Sequence, residues 1–524
     1  MEANGQQTKH FSDLIEDSYK KWNDTRVILD GGTGTGKSYF ILNILSKYAD
    51  AEGKRVLYLC NRSPLKEKIY YEAKKMNLLE TVTVITYQKL ADLIQKKEPV
   101  PDAEYVVADE CHYFTEDALF NEYTDIAYSY IKRLKGRVVI YMSATCKVFF
   151  RWMRKSNHVT DEHYFYIPKS YEYVDELYFY EKKYLIPKVD DILEKEDDSK
   201  IIIFCNSIQQ MIKLHEKYGD KACYYASKNA KKVSDIRTEN CIQSHEDGTV
   251  TFDKRILVAT KVLDNGIDIK DKKVKHIFSE ILDVDSAIQA LGRKRKMSDD
   301  DTCTFYLKDY TGQAIQGMIN RYDYQIDPVK KFRKDYYGFL ETYAKDRKRL
   351  RNNKIFHTEF AEKVEDSKFT YNRMRLKKYY MDYGILTEMR EKTYNVVMLE
   401  LLGSELAAKA KKLDIYVEEK DEFMDYIKSI EGKWLYTDDK KIVQKNFEKI
   451  GLKLRYKGVN TFNGALEDNY PNYECRFRDK IVGKDKKLTS KYLTDKRRKL
   501  SDGTDNPNRD RKYWILERKH WISE

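Results

Sequence analysis

The feature that most constrains the fold is a glycine-rich segment near the amino terminus. It reads Gly31-Gly32-Thr33-Gly34-Thr35-Gly36-Lys37-Ser38 and fills every fixed position of the pattern GxxxxGK[ST]. The apolar residues 27–29 before it predict a strand, and residues 40–45 after it supply the apolar face of a helix. Such a strand–loop–helix unit is typical of a parallel α/β sheet, so we expect the first part of the chain to form one.

The same segment predicts a phosphate site. Glycines allow backbone N–H groups to converge on phosphate oxygens, and the helix amino terminus adds positive potential. In this arrangement Lys37 reaches the β- and γ-phosphates and Ser38 holds Mg²⁺. Residues 31–38 are therefore predicted to bind ATP and Mg²⁺.

A second chemical signal is the acidic pair Asp109 and Glu110, in the sequence Asp109-Glu110-Cys111-His112. It follows the apolar residues 105–108, and carboxylates at the end of a buried strand are costly unless they meet a cation. We expect Asp109 to lie in the metal shell and Glu110 to orient and deprotonate the attacking water. Two acids alone are a weak signal, but their position downstream of the glycine-rich segment strengthens the interpretation.

Two successive series of short apolar segments alternate with amphipathic patterns over roughly the first 325 residues. This alternation of strand and helix patterns is typical of parallel α/β sheets, and two series of about five strands predict two domains. The predicted strands of the first series are 27–29, 56–59, 81–86, 105–108 and 138–142. Those of the second series are 200–204, 222–225, 255–259, 276–278 and 302–307. Residues 151–173 lack clear periodicity and are interpreted as a linker.

Positive charge is concentrated in the last part of the chain. The formal net charge is +12, and residues 331–524 contain 46 Lys and Arg against 33 Asp and Glu. The other 330 residues contain 51 basic and 52 acidic side chains, so the whole excess lies in the last part. This asymmetry is typical of a region that binds a polyanion, although a solvated basic surface would give the same count.

Helical patterns dominate after residue 328, beginning with a basic amphipathic pattern at 331–352. In residues 370–382, four basic side chains alternate with tyrosines, so phosphate contact and base stacking are both candidate roles. The four basic residues are Arg373, Arg375, Lys377 and Lys378. A helical pattern at 440–450 and an apolar segment at 512–517 are compatible with a terminal winged-helix module.

Composition argues against several classes of protein. The 524-residue chain is 41% hydrophobic, enough for real cores, and has no apolar run of about 18 residues. The first 21 residues lack a signal-peptide pattern, so we expect a soluble cytoplasmic protein with no membrane partner. Eight cysteines without a CxxC pair argue against a zinc site and a disulfide framework, and suit a reducing compartment.

Further motifs resemble those of superfamily 2 helicases, specifically the DExH branch, over roughly residues 20–310. Residues 143–145 (SAT) are similar to the element that couples nucleotide state to strand binding, and residues 204–207 (FCNS) resemble the fourth motif. Residues 259–269 resemble the fifth motif, and residues 289–296 resemble the sixth, QxxGRxxR. The initial glutamine of that motif favours the DExH side, because DEAD-box proteins usually carry histidine there.

This resemblance implies an α/β fold with two tandem RecA-like parallel-sheet domains and a mostly helical C-terminal region. The expected domains are a first RecA-like domain at 1–165, a second at 166–327, a helical basic region at 328–435 and a basic C-terminal module at 436–524.

The resemblance also implies the roles of individual residues. The catalytic residues would be Lys37, Asp109, Glu110, Gln289, Arg293 and Arg295. Gly266 and Asp268 would approach the nucleotide. The residues that contact nucleic acid or couple it to the nucleotide would be Arg62, Thr86, His112, Ser143, Thr145, Asn206 and Thr260.

The sequence departs from the family pattern at one position. The final arginine of the sixth motif, which neutralises charge developing on the γ-phosphate, falls on Lys296. Lysine keeps the charge but lacks the planar fork of arginine. Arg295 would substitute if the backbone register shifts, so the sequence predicts Arg293 and Arg295 as the neutralising pair.

A nucleotide site divided between two lobes is complete only when they close, and closure links hydrolysis to movement. We therefore expect an ATP-dependent helicase or translocase, acting on DNA more than RNA because no RNA-binding module is recognisable. The alternative is an ATP-gated clamp, or a remodelling subunit of a larger replication or defence complex, that does not unwind. In either case the C-terminal region is a candidate surface for protein partners.

Overall fold

The computed structural model describes residues 10–518 apart from 33, 122, 197, 227–229, 239–241, 246–248, 261–267, 345, 360–366, 415–416, 453, 455–457 and 484–486. The chain separates into two compact units. The first unit comprises Met1–Lys182 and Asp191–Lys412, and the second comprises Lys183–Asp190 and Leu413–Glu524.

The first lobe of the first unit is a parallel sheet covered by helices. Its strands are β1 (Arg26–Gly31), β2 (Val56–Cys60), β3 (Val82–Thr86), β4 (Tyr105–Asp109), β5 (Val138–Ser143) and β6 (Tyr164–Ile167). Its helices are α1 (Phe11–Ile15), α2 (Lys37–Tyr39), a π-helical continuation (Phe40–Leu45), α3 (Ser46–Ala51), α4 (Ser63–Lys75), α5 (Tyr87–Lys96), α6 (Tyr113–Glu116), α7 (Tyr123–Arg133) and α8 (Lys147–Lys155).

The strand order in this lobe, β3-β2-β4-β5-β1-β6, determines where the site forms. Strands β2, β4 and β5 are buried along their whole length, as expected of a parallel sheet covered on both faces. Strand β5 lies between β1 and β4, and all three run in parallel. The glycine-rich loop, the SAT segment and the acidic pair therefore follow neighbouring strand ends at one edge of the sheet.

The second lobe has the same layered construction. Its strands are β7 (Val174–Tyr180), β8 (Lys200–Phe204), β9 (Ala222–Tyr225), β10 (Ile242–Ser244), β11 (Thr249–Phe252), β12 (Ile256–Ala259), β13 (Asp268–Ile269), β14 (Val274–Ser279) and β15 (Cys303–Lys308). Its helices are α10 (Ile208–Tyr218), α11 (Val284–Leu291) and the later part of α9 (Leu185–Lys195), whose residues up to Asp190 belong to the second unit. Strands β7-β15-β14-β8-β12-β9 pair in parallel, and β10, β11 and β13 form a separate small sheet.

All ten predicted strands are present, with ends within two residues of those expected, and the predicted α/β class with two parallel sheets is confirmed. The interpretation of residues 151–173 as a linker was wrong. Helix α8 extends into this range, and β6 adds to the first sheet beside β1. The first sheet consequently continues past residue 165, where the first domain was expected to end, because Phe165 and Ile167 pack into its core.

A helical segment follows the second lobe within the first unit. Its helices are α12 (Gly312–Lys334), α13 (Tyr336–Ala344), α14 (Arg347–Arg351), α15 (Arg373–Lys392), α16 (Tyr394–Leu402) and α17 (Ser404–Ala408). Its strands are β16 (Phe356–Glu359) and β17 (Lys368–Tyr371), which form a hairpin, and β18 (Ala410–Lys412), which pairs in parallel with β7. Among the described helices, none is long and apolar enough to cross a bilayer.

The structure differs from two expectations in this segment. Helix α12 passes through Pro328, so the predicted domain boundary at 327/328 falls inside a helix. The single helix predicted at 331–352 is instead divided among α12, α13 and α14. The first division has a local cause, because Asp335 follows α12 and accepts the N–H of Gly338 at 2.9 Å, starting a new helix.

Helix α15 holds basic residues that the sequence suggested for nucleic-acid contact. Arg375 instead donates its Nε to the carbonyl of Ala118 at 2.6 Å, and Lys377 lies 4.9 Å over the ring of Trp152. Lys378 is almost completely buried in an ion-pair cluster. The suggestion of phosphate contact was therefore wrong for Arg375 and Lys378, because both side chains are used to pack α15 inside the unit.

The second unit is a small helical domain with an antiparallel sheet. Its helices are α18 (Val417–Ser429), α19 (Thr437–Lys449) and α20 (Val459–Asn469). Its strands are β19 (Trp434–Leu435), β20 (Cys475–Arg478), β21 (Lys480–Val482), β22 (Leu488–Tyr492) and β23 (Trp514–Arg518). The central β23 pairs with β19 and β20, while β21 and β22 form a hairpin.

The elements run in the order helix, strand, helix, helix, strand, hairpin, strand, which is compatible with the winged-helix module that the sequence suggested. Apart from Lys183–Asp190, the second unit begins at Leu413, upstream of residue 436, where the C-terminal module was expected to start. The reason is packing, since α18 contributes Phe423 and Ile427 to the same core as Trp514.

Cysteines in the described residues are mostly reduced. Six of them are buried free thiols, namely Cys60, Cys111, Cys146, Cys205, Cys303 and Cys475. Cys223 is disulfide-bonded, which the scattered cysteine pattern did not predict.

Candidate functional site

The glycine-rich loop joins β1 to the helical run that starts with α2. Gly34 and Gly36 have φ angles of +83° and +82°, a left-handed conformation that favours glycine. Lys37 extends back over the loop, with Nζ 2.6 Å from the carbonyl oxygen of Gly31 and 2.8 Å from that of Gly32. The loop thus holds an ammonium group beside backbone N–H groups at a helix start, which is the donor set that a polyphosphate requires.

Helix α1 stabilises the loop from outside. The N–H of Phe11 donates to the carbonyl of Thr35 at 3.0 Å, and a Cβ placed on Gly31 would lie 2.8 Å from the Phe11 ring. The loop can therefore approach α1 closely only because residue 31 is glycine. The sequence offers Gln6 and Gln7 merely as candidates for contact with the adenine base, and both lie outside the described residues.

Asp109 ends β4, and its carboxylate is buried beside the loop. Tyr58 of β2 donates its hydroxyl to Asp109 Oδ2 at 2.6 Å and also hydrogen-bonds with the Ser38 side chain. Burial, followed by the charge of Glu110, raises the pKa of Asp109 to about 7. A buried carboxylate next to a serine hydroxyl is a donor set that Mg²⁺ accepts, and the cation would relieve the cost of burying the charge. The residues present therefore fit a magnesium ion.

Glu110 follows in a strained conformation, with a φ of +50° that non-glycine residues rarely adopt. This turn directs its carboxylate toward His112, whose Nδ1 lies 3.2 Å from Glu110 Oε2, and toward the Ser143 hydroxyl, 3.3 Å away. Burial acts to raise the pKa of Glu110, but the hydrogen bond and charge of His112, with the charge of Lys37, lower it. Glu110 is thus held as a carboxylate, the form that accepts a proton from water.

The two lobes meet across this edge of the first sheet. Gln289 of α11 donates its Nε2 to Thr145 Oγ1 at 2.8 Å, and the Lys147 N–H donates to Asp285 Oδ1 at 2.9 Å. Between the lobes lies a cavity of about 440 Å³, a volume typical of small-molecule sites. Residues of both lobes line it, including Glu110, Thr145, Gln289, Gly292, Arg293 and Arg295.

Arg293 and Arg295 both face this cavity because the backbone around them is extended. The Arg293 carbonyl accepts the N–H of Ile269, and the Arg295 N–H donates to the Ile269 carbonyl, at 2.7 and 2.9 Å. Residues two apart in an extended chain share a face, so both guanidinium groups lie on one side. Asp268 pairs with Arg295 at 3.0 Å and lies 3.9 Å from Arg293.

The alternate residues of this segment face away from the cavity. Lys294 is completely buried and pairs with Asp301 at 2.6 Å, while Lys296 pairs with the exposed Asp299 at 3.0 Å. The family pattern expects the last cation at position 296, but in this register the lysine there cannot share the face of Arg293. Arg295 therefore lies beside Arg293 on the wall of the cavity.

The remaining residues suggested for strand binding or coupling have different surroundings. Arg62 lines the same cavity from the start of α4. Thr86 caps α5 by accepting the Lys89 N–H at 3.1 Å, and Asn206 donates to the Tyr310 hydroxyl at 3.3 Å. Of the other residues in this set, Ser143 lies at the end of β5 and Thr260 follows β12. Thr33 and Gly266, which were predicted to contact the nucleotide, lie outside the described residues.

Sequence reasoning missed two residues of the site. Tyr58 was read only as part of an apolar strand, and Lys169 fell in the presumed linker. For Tyr58 the available signal was its position on the strand beside the one that carries Asp109. No sequence signal marks Lys169, because its position beside the loop arises from the path of β6.

The family model described as Schlafen group 3, DNA/RNA helicase domain, matches residues 25–144, in the first lobe. The model described as Helicase conserved C-terminal domain matches residues 185–297. No curated protein matches the chain. Each lobe is therefore similar to a helicase domain.

Solved structures give weaker similarity. Saccharomyces cerevisiae Dbp5 bound to RNA and ADP BeF3 is 13% identical with a TM-score of 0.37, covering 57% of this chain and 83% of that one. A variant of Dbp5 bound to RNA and ADP BeF3 is 13% identical with a TM-score of 0.35, covering 54% and 78%. At these TM-scores the similarity adds nothing to the sheet topology described above.

Proposed function

We propose that this chain is an ATP-dependent helicase or translocase of the DExH type, acting on DNA more than on RNA. The observation that carries the proposal is the cavity shared by two lobes, with Glu110 on one wall and Arg293 and Arg295 on the other. A nucleotide bound there would contact both lobes. Its binding and hydrolysis would therefore change how the lobes are held together.

In this proposal the first lobe binds the phosphates through residues 31–38, with Lys37 leaving the loop carbonyls to contact the β- and γ-phosphates. Ser38 and Asp109 hold Mg²⁺, which when bound withdraws negative charge from the phosphate oxygens. Glu110 orients the attacking water and accepts its proton. Arg293 and Arg295 approach from the second lobe and neutralise the charge that develops on the γ-phosphate.

A continuous set of hydrogen bonds supports coupling between the general base and the second lobe. Ser143 Oγ contacts Glu110 Oε2 at 3.3 Å and accepts the Thr145 N–H at 3.2 Å. The hydroxyl of Thr145 in turn accepts from Gln289, as described above. A change at the γ-phosphate that moves Glu110 would therefore be transmitted to α11 of the second lobe.

Contacts with nucleic acid are proposed for Arg62, at the start of α4, and for Thr260, which follows β12. The second unit would add further contacts. Residues 479–513, between β20 and β23, contain 12 Lys and Arg against 6 Asp and Glu. This basic segment and the winged-helix topology favour binding to a duplex backbone, which supports the preference for DNA.

The experiment that tests this function measures ATPase activity with single-stranded DNA, duplex DNA, forked DNA and RNA, each added separately. Wild type is expected to hydrolyse ATP with stimulation by at least one DNA, and Lys37→Ala to lose hydrolysis. Lys47→Ala changes an exposed lysine on the same helical run and is the matched control. Absence of ATPase activity under every condition, or a fully active Lys37→Ala, contradicts the proposal.

A second candidate function, an ATP-gated clamp that does not unwind, is favoured by one observation. Lys378 of α15 forms ion pairs with Glu116 of the first lobe and Asp283 of the second, which would restrain lobe separation. Strand displacement on tailed duplexes separates the two functions. Displacement that depends on ATP supports the motor, whereas stimulated hydrolysis without displacement on DNA or RNA supports the clamp or a remodelling subunit with protein partners.

A further inference from the structure

Lys169 lies in the connection between β6 and β7, where its side chain spans the two lobes. Its Cγ is 3.4 Å from the point where a Cβ on Gly32 would lie, beside the phosphate loop. Its Nζ is 2.8 Å from the corresponding point on Gly292, the residue before Arg293. One lysine is thus in contact with the loop that would bind phosphates and with the turn that precedes the arginines.

The connection that carries Lys169 is held in place after the lysine as well as before it. The Tyr171 N–H donates to Glu405 Oε2 at 2.9 Å, and the Tyr173 hydroxyl donates to the Leu291 carbonyl at 3.2 Å. Before the lysine, β6 is paired with β1, which leads into the loop. Lys169 therefore joins a strand of the first lobe to a segment hydrogen-bonded to the second.

The charged groups that act on Lys169 are cations, so a bound anion would stabilise its ammonium group. Among the described residues, no carboxylate lies within ion-pair distance of its Nζ, whereas Arg295 pairs with Asp268. Burial, and then the charges of Arg295, Arg293, Lys147 and Lys37, lower the pKa of Lys169 to about 7. The positive charge of a lysine held among other cations at the wall of a cavity is stabilised when a polyanion enters that cavity.

We propose, building on the nucleotide site of the proposed function, that Lys169 contacts the γ-phosphate of a bound nucleoside triphosphate and distinguishes triphosphate from diphosphate. It would supply a further cation on the cavity wall, where Arg293 and Arg295 also lie and Lys296 does not. Because Lys169 touches both lobes, its contact with the γ-phosphate would also favour the closed arrangement.

The test compares the affinities of the full-length chain for ADP and for the non-hydrolysable triphosphate AMP-PNP, measured by calorimetry. Lys169→Met is expected to weaken AMP-PNP binding by about tenfold, as for the loss of one charge-assisted hydrogen bond, and to change ADP binding by less than about twofold. Lys169→Arg is expected to bind AMP-PNP like wild type. Lys47→Met, on the exposed side of the helical run, should leave both affinities unchanged.

The pH dependence gives a second measurement that a merely structural role would not alter. Contact with phosphate raises the pKa of Lys169, so AMP-PNP binding is strongest below about pH 7 and weakens as the pH rises toward the bound-state pKa. The facing groups are Lys37, Lys147, Arg293, Arg295 and Tyr171. Using the ratio of AMP-PNP to ADP affinity removes effects common to both nucleotides. That ratio should fall between pH 7 and pH 9 in wild type and fall less in Lys169→Arg.

The outcomes separate this inference from the proposed function. If wild type binds neither nucleotide, the nucleotide site itself is wrong. If wild type binds both and Lys37→Ala binds neither, but Lys169→Met weakens ADP and AMP-PNP equally or not at all, only the γ-phosphate assignment is overturned. A folded Lys169→Met that retains AMP-PNP affinity but loses affinity for single-stranded DNA would likewise overturn it and assign the lysine to strand contact.

Discussion

Replacing Lys378 with methionine tests whether α15 holds the two lobes together. The lysine is 2% exposed, and its ammonium lies 2.8 Å from carboxylate oxygens of Asp283 and Asp382 and 3.2 Å from one of Glu116. One cation therefore pairs with carboxylates from the first lobe, the second lobe and α15 itself. Removing one partner of a buried ion pair costs about 3–5 kcal/mol. We expect Lys378→Met to lower the free energy of unfolding by about that amount at pH 7.5.

The loss of unfolding free energy in Lys378→Met should become smaller as the pH falls. Burial raises the pKa of Asp382 to about 6, and Lys378 acts to lower it, so the variant's carboxyl should titrate higher still. An aspartate whose pKa in the folded state exceeds its unfolded value of about 3.9 lowers the free energy of unfolding at high pH. This penalty decreases as the pH falls below the folded-state pKa toward the unfolded one. The difference in unfolding free energy between wild type and Lys378→Met should therefore decrease by at least about 1 kcal/mol between pH 7.5 and pH 5.

The measurement is urea unfolding followed by tryptophan fluorescence, to which Trp152 contributes because it packs against Lys377 of the same helix. Lys392→Met is the matched control, since Lys392, also on α15, is 47% exposed and pairs there with Glu388 and Glu400. Its effect should stay below about 0.5 kcal/mol. A deficit for Lys378→Met below about 1 kcal/mol at pH 7.5, or one independent of pH, would refute the reasoning.

Three further predictions concern the arginine segment and the second unit. Asp301→Ala leaves Lys294 buried without its partner and should lower the unfolding free energy, measured by urea titration, by about 3–5 kcal/mol. In the double variant Asp301→Asn with Lys294→Met, no charge is left buried, so most of that free energy should be recovered. Arg295→Ala should reduce kcat for ATP by at least about 100-fold, while Lys296→Ala stays within about twofold; the opposite result in steady-state assays would show that position 296 supplies the cation. A chain ending at Lys412 should keep basal ATPase activity but bind duplex DNA more weakly and with a smaller salt slope, and unchanged binding would show that the second unit makes no such contact.

Much of the fold and half of the candidate site could be predicted from local sequence. The ten strands are continuous apolar runs, and such runs between helices form parallel sheets whatever the details of their neighbours. The loop at residues 31–38 and the pair Asp109 and Glu110 were predictable for a related reason. Their chemistry depends on residues adjacent in sequence and on the strand ends that carry them. Strand β6 was missed because its tyrosines are common throughout the chain and carry little information.

The sequence by itself determined the sheets, the glycine-rich loop and the acids, because each depends on short-range pattern. Only the tertiary structure decided which cations face the cavity. Burial of Lys294 with Asp301 makes the segment extended and turns Arg295, not Lys296, toward Arg293, and the path of β6 brings Lys169 beside Gly32. The position of a charged side chain depends on partners far away in the chain, because a charge is stable inside a protein only where an opposite charge or a polar group meets it.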